Sequence, residues 1–214
     1  MKKVLIVMII VLTGIMSKAQ TVSFGPTGGF GHAWITNSPG DTKFNPAWNA
    51  GLSFIYSSRS HFGLGVDAKY SAEGNKIKYS ATEGNGLINY KNTVNANYIR
   101  VPVKVIYFFG DNKSAVRPKI YAGPSMGFLT GGKTVTRIEG TGVVEKVDTK
   151  DEMKNFDFGV TAGAGLNFRV APRTWLNTDL AFYQGLLDVT KANDMTKHNG
   201  NVGLNVGLLI GMGK

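Results

Sequence analysis

The 214-residue sequence has no cysteine, which excludes both a disulfide framework and a lipid-modified cysteine anchor. Histidine is nearly as scarce. His32, His61 and His198 show no paired ligand spacing, and Asp148, Asp151 and Glu152 lack the regular glycine-bearing loop of a calcium site, so neither a metal nor a cofactor is expected. Long apolar runs are missing too. After residue 16 every apolar stretch is broken within a few positions by Gly, Asn, Asp, Lys or Arg, which excludes a membrane-spanning helix from the body of the chain. Acidic residues are the last shortage, with 14 Asp and Glu against 24 Lys and Arg.

The N-terminus reads MKKVLIVMIIVLTGIMSKAQ, in which Lys2 and Lys3 precede an apolar stretch running from Val4 to Met16 and then Ser17-Lys18-Ala19. This run is shorter than the ~20 residues of a spanning helix and ends in small residues, so residues 1–19 read as a secretory signal peptide cut after Ala19. Cleavage would leave a single domain over residues 20–214. A basic balance can indicate a nucleic-acid partner. Export argues against that partner and favours anionic lipid or lipopolysaccharide.

What the chain has in abundance is alternation. The segment NFDFGVTAGAGLNFR, Asn155 to Arg169, sets Phe156, Phe158, Val160, Ala162, Ala164, Leu166 and Phe168 on one face and glycine, amide or charge on the other. Seven further segments behave similarly: Thr21 to Thr36, Ala47 to Ser57, His61 to Ser71, Ala96 to Phe108, Arg117 to Thr130, Trp175 to Leu187 and Gly200 to Met212. Only the first has blurred faces, because of Gly25, Gly28, Gly29 and Gly31. The links alternate in length, with short ones at Ser57 to Ser60, Phe109 to Val116 and Val170 to Thr174 and longer ones at Asn37 to Pro46, Ala72 to Asn95, Gly131 to Lys154 and Asp188 to Asn199. Short periplasmic turns and long outer loops are the habit of outer-membrane barrels, so the expected fold is an eight-stranded antiparallel transmembrane β-barrel with both termini periplasmic. The two longest links are expected to carry strand extensions above the membrane.

Periodicity alone does not say which face is inside, and a lipocalin-like soluble barrel would alternate equally well. Two features favour the membrane reading. The polar face is rich in glycine, as at Gly159, Gly163 and Gly165, which leaves room in a narrow lumen for long polar side chains. Aromatic residues also gather at strand ends, with Trp34 and Trp48 flanking the first long loop and Tyr107, Phe168 and Trp175 near the short-turn side.

Two neighbouring strands carry a more specific pattern, Tyr98-Ile99-Arg100-Val101-Pro102 followed by Pro118-Lys119-Ile120-Tyr121-Ala122-Gly123-Pro124-Ser125-Met126-Gly127. This pair resembles the PorT-like outer-membrane β-barrel family, and the stretches Phe158 to Phe168 and Asp179 to Val189 look like that family's closing strands. The resemblance implies a barrel, and through the founding branch of the family an accessory role in protein secretion. One departure is the end, Gly211-Met212-Gly213-Lys214, where a terminal aromatic residue would be commoner.

Parity assigns Asp67, Lys69, Arg100, Lys104, Lys119, Asp157, Arg169 and Asp179 to the interior, where a lumen filled by side chains should pair them into a structural ion-pair plug. A narrow channel is the other use of such a lumen. No catalytic residues are expected. His32, Ser38 and Asp41 cluster by sequence at the first long loop and His198 with Asp194 at the last, but nucleophilic chemistry needs hydrogen-bond geometry that sequence does not supply. Gly163-Ala164-Gly165 lies within a strand with no helix after it and is no nucleotide fingerprint. The outer loops carry Lys76, Lys78 and Lys91 in one, and Lys133, Arg137, Lys146, Lys150 and Lys154 in the other. Of these, Lys133, Arg137 and Lys146 are the candidate lipopolysaccharide contacts. The expected role is non-enzymatic, structural or interacting at the cell envelope with outer-membrane lipid, lipopolysaccharide and envelope or secretion proteins.

Overall fold

Alternation of this length can be satisfied only by strands, and the computed structural model consists almost wholly of them. It describes residues 21–58, 61–83, 86–110, 114–140, 142–192 and 195–212, so the expected signal peptide lies outside the described residues. Ten strands follow in order: β1 (Thr21–Ile35), β2 (Asp41–Thr42), β3 (Pro46–Ser57), β4 (Phe62–Glu83), β5 (Gly86–Phe108), β6 (Val116–Ile138), β7 (Gly142–Asp148), β8 (Phe156–Ala171), β9 (Thr174–Gly185) and β10 (Asn199–Met212). A single helical turn, α1 (Thr149–Glu152), separates β7 from β8.

Eight of these strands close a ring in the order β4-β3-β1-β10-β9-β8-β6-β5, and the β4–β5 pairing completes it. All pairings are antiparallel. Closure leaves no edge within the ring, which is the condition for backbone donors and acceptors to survive in hydrocarbon. β2 and β7 are short additions that pair with the far ends of β4 and β6.

β4, β5 and β6 run for 22, 23 and 23 residues, about twice the ~9–11 that a tilted strand needs to cross a bilayer. Their outer halves therefore stand above the membrane as a continuous sheet. The link expected as a loop from Ala72 to Asn95 is a β-hairpin for nearly all its length.

The faces settle the question that periodicity leaves open. Outward positions carry exposed Phe24, Phe30, Leu52, Phe54, Leu64, Val66, Ile99, Val105, Ile120, Phe128, Val160, Leu180, Phe182, Leu204, Val206, Leu208 and Ile210. The buried positions between them hold Ser53, Asp67, Arg100, Lys104, Lys119, Asp157 and Asp179. Apolar outside and charged inside is the arrangement of a barrel solvated by lipid, and it excludes the lipocalin-like alternative. β1, ambiguous by sequence, follows the same rule: Phe24, Pro26 and Phe30 are exposed outward while Ser23 and Gly25 are buried.

Glycine enables the packing inside. A Cβ on Gly165 would lie 2.1 Å from Asp179 Oδ1, and one on Gly163 would lie 2.5 Å from the Tyr121 hydroxyl. The missing side chains are what let those two long groups occupy the lumen.

β6 contains one irregularity with large effects. Tyr98 faces Leu129 but Asn97 faces Gly131, so Thr130 is an extra residue, followed by Gly131 and Gly132 at φ 154° and 146°. A one-residue bulge reverses which face each later residue joins. Below it the odd positions of β6 point inward; above it Lys133, Val135 and Arg137 point outward.

Candidate functional site

The inward face of β5 gives the axial order of the lumen, because every position from Ala96 to Phe108 in steps of two is buried. From the long-loop end it reads Ala96, Tyr98, Arg100, Pro102, Lys104, Ile106, Phe108. Charge occupies the middle and apolar side chains occupy both ends.

Each charged level is paired. Arg100 donates from Nε and Nη2 to the two carboxylate oxygens of Glu73, both at 2.6 Å, and from Nη2 to Asp157 Oδ2 at 2.9 Å. Its guanidinium also lies 4.0 Å over the Tyr183 ring. Ser71 donates to Glu73 at 2.7 Å, and Asn199 donates to Asp157 at 2.9 Å. At the next level Lys104 Nζ reaches both oxygens of Asp67 at 2.8 Å, Lys69 approaches the same carboxylate at 3.2 Å, and Ser53 donates to it at 2.7 Å. Lys119 contacts Asp179 Oδ1 at 2.9 Å and Asn177 Oδ1 at 2.7 Å.

Two apolar clusters close off this stack. On the long-loop side lie Ile35, Ala96, Tyr98, Leu129, Met153 and Val189; on the short-turn side lie Ile55, Ile106, Phe108, Tyr121 and Leu209. The buried ion pairs thus lie between two apolar layers.

Seven of the eight residues assigned inward by parity take part: Asp67, Lys69, Arg100, Lys104, Lys119, Asp157 and Asp179. Arg169 keeps the inward parity but lies beyond the stack, exposed at the short-turn mouth beside Arg117 and Asn167, with its guanidinium 4.7 Å over the Trp175 ring. Glu73 joins the network although it lies past Ser71, the expected end of its strand. The available signal was unbroken parity: Glu73 continues the Asp67, Lys69, Ser71 series. Arg117 also lies outside the expected set; it is buried two positions before Lys119, 4.3 Å over the Phe108 ring.

The rim groups considered for catalysis are not assembled. His32 Nδ1 accepts from the Asn45 N–H at 3.0 Å and its ring stacks on Phe44, Ser38 donates to the Ile35 carbonyl at 2.9 Å, and Asp41 pairs with Lys43. His198 Nδ1 lies 3.0 Å from the Leu187 carbonyl oxygen, and Asp194 lies outside the described residues.

The outer sheet does assemble something. Directly opposed residues share a face in an antiparallel sheet. Lys78 is opposite Lys91 and Lys91 is opposite Arg137, so three cations lie side by side across β4, β5 and β6. Lys76 is opposite Thr93, Lys133 opposite Asn95, and Lys146 opposite Val135, which places these three on the same outward face. Six cations thus stand on the outward face above Tyr70, Ile99 and Phe128 of the lipid belt, Lys133 nearest to it and the Lys78–Lys91–Arg137 row roughly 27 Å beyond Tyr70 along the strands at ~3.4 Å per residue. Asp41, Asp148 and Glu139 interrupt them, and Lys78 is ion-paired to Glu139. Among the described residues Lys91, Lys133, Arg137 and Lys146 form no ion pair with a carboxylate.

The sequence model of the outer membrane protein beta-barrel domain matches residues 18–191. Among solved structures, Neisserial surface protein A is 16% identical, with 86% of this chain and 95% of that one covered and a TM-score of 0.46. OprG of Pseudomonas aeruginosa is 13% identical over 92% and 98%, at 0.47. Ail of Yersinia pestis, solved with the heparin analogue sucrose octasulfate, is 14% identical over 88% and 99%, at 0.42. Comparison with curated protein sequences gave no match.

Proposed function

Because the chain belongs to the family of outer membrane protein β-barrel domains, we propose that it is a non-enzymatic barrel that holds lipopolysaccharide of the outer leaflet against the outward face of its extracellular sheet. One observation carries this reading: the register of β4, β5 and β6 places Lys78, Lys91 and Arg137 directly opposite one another on the outward face above the lipid belt. Like charges in that relation repel, and an anion lying across them turns the repulsion into binding. Lipopolysaccharide carries anionic groups that project beyond the hydrocarbon, toward the side on which that row stands. Lys133, Arg137 and Lys146 are the contacts proposed from the third extracellular segment, with Lys78 and Lys91 extending them across the sheet. Residues 1–19 act in this reading as the export signal, removed after Ala19.

The Tyr98 to Pro102 and Pro118 to Gly127 motifs support placement in the PorT-like branch. An accessory role in protein secretion then rests on that placement alone. A narrow channel fits less well, since apolar clusters lie across both ends of the charged stack.

The test is titration of lipopolysaccharide against the barrel in lipid nanodiscs. Replacing Lys133, Arg137 and Lys146 together by Ala should weaken binding by about tenfold, roughly 1.4 kcal/mol, and flatten its salt dependence. Unchanged affinity and salt dependence would reject the proposal.

A further inference from the structure

Above the long-loop apolar cluster the extracellular segments enclose a cup of about 560 Å³, within the ~300–1,000 Å³ of small-molecule sites. Ile35, Met153 and Val189 form its floor and belong to the same cluster that covers the ion pairs, so the cup is blind. Asn75, Ile77, Asn92 and Val94 line it from the inner faces of β4 and β5, the faces opposite the cationic one.

The remaining walls are tied to one another. Thr36 N–H donates to the His198 carbonyl at 2.9 Å, and Asn37 Nδ2 to the Thr196 carbonyl at 2.8 Å, joining the first loop to the last. Lys43 N–H donates to the Lys76 carbonyl at 2.7 Å and Asn75 Nδ2 to Ser38 Oγ at 2.8 Å, joining the first loop to β4. Lys191 N–H donates to the Glu152 carbonyl at 2.9 Å beside a Met153–Thr190 bridge, joining the last loop to α1. Walls already ordered do not have to be ordered by a ligand.

The chemistry of the lining is asymmetric. The floor and lower wall are apolar, and one buried acceptor, Asn92 Oδ1, has no hydrogen-bond partner. The charged groups on the lining are Asp151, Glu152, Lys191 and Lys197, two of each sign, with Lys191 Nζ donating to the Lys150 carbonyl at 2.6 Å and Thr134 Oγ1 donating to Glu152, so Asn92 rather than net charge sets the head-group preference. A buried acceptor without a donor is unfavourable, and a ligand bearing an O–H or N–H relieves it. We infer that the cup binds a small single-tailed amphiphile whose apolar tail rests on Ile35, Met153 and Val189 and whose hydroxyl or ammonium head donates to Asn92. Because the floor is closed, the site captures such a molecule rather than passing it through the barrel.

The test uses the barrel in lipid nanodiscs with methyl-¹³C methionine, titrated with 1-octanol, octylamine and octanoate. Met153 lies in the cup, whereas Met126 and Met212 lie on the outer surface and report partition into lipid. The Met153 methyl should shift saturably with octanol and octylamine, and octanoate should bind about tenfold more weakly. Asn92→Leu should abolish the preference for donor heads. Val189→Trp, checked by its unboiled gel mobility, should remove the Met153 response. A Met153 signal that does not move, moves in step with Met126, or ranks octanoate equal to octylamine would overturn the inference.

Discussion

Buried on all sides, the Arg100 guanidinium donates to Glu73 and Asp157 and stacks on Tyr183, so its charge is matched by two acids from different strands. Removing one partner of a buried pair leaves an uncompensated charge and costs ~3–5 kcal/mol. Glu73→Gln should therefore lower the unfolding midpoint of the barrel sharply in urea, read by the gel shift of unboiled samples, while Glu139→Gln on the exposed pair with Lys78 should leave it unmoved. An equal response from both would mean that the interior is hydrated and the plug description wrong. At this scale sequence parity located Asp67, Lys69, Arg100, Lys104, Lys119, Asp157 and Asp179, because period two depends only on the local backbone. Partner identity was not legible: Arg100 meets Asp157 through the stagger of the ring, 57 positions away in the chain.

The extracellular segments are laced by a few contacts, among them the Lys154–Asp188 pair at 2.7 Å. Slight burial works against ionisation of Asp188. Hydrogen bonds from Lys154 Nζ and from the backbone N–H groups of Lys197 and Thr190 outweigh it and hold the carboxyl below its ordinary value of 3.8. A depressed carboxyl stabilises its fold above the ordinary value and loses that contribution as pH falls through the lower one. Amide exchange at Val189 and Lys197 should accordingly be insensitive to this group near neutrality and rise, after correction for intrinsic rates, below pH 3.8. Asp188→Asn should show the faster exchange at every pH. Loss of protection between pH 5 and 7 would place the switch on another group. The eight strands that close the ring were legible in the sequence, whereas the short β2 and β7 and the hairpin that replaces the expected loop from Ala72 to Asn95 were not. The bulge at Thr130 was not. A one-residue insertion changes which face the later residues join without altering composition, and it is what turns Lys133 and Arg137 outward.

Closing eight strands produces two surfaces from one pattern: a lipid-facing belt and a lumen whose charges must find one another. The same alternation continues above the membrane and divides the outer sheet into a cationic outer face and a mostly apolar cup within. Sequence periodicity reached the barrel but not the direction of its faces, since a soluble barrel shows the same period. Glycine on the polar side carried that decision, and Gly163 and Gly165 show why, as their missing side chains are where Tyr121 and Asp179 fit. The proposed lipid site and the cup were beyond reach because both depend on register between distant strands. The absence of native cysteine makes the central claim directly measurable. Single cysteines at Leu204, Asn205, Val206, Leu208 and Leu209 of β10 can each carry a fluorophore in vesicles containing brominated lipid. The account predicts strong quenching at Leu204, Val206 and Leu208 and little at Asn205 and Leu209; the reverse pattern, or uniform quenching along the strand, would contradict it.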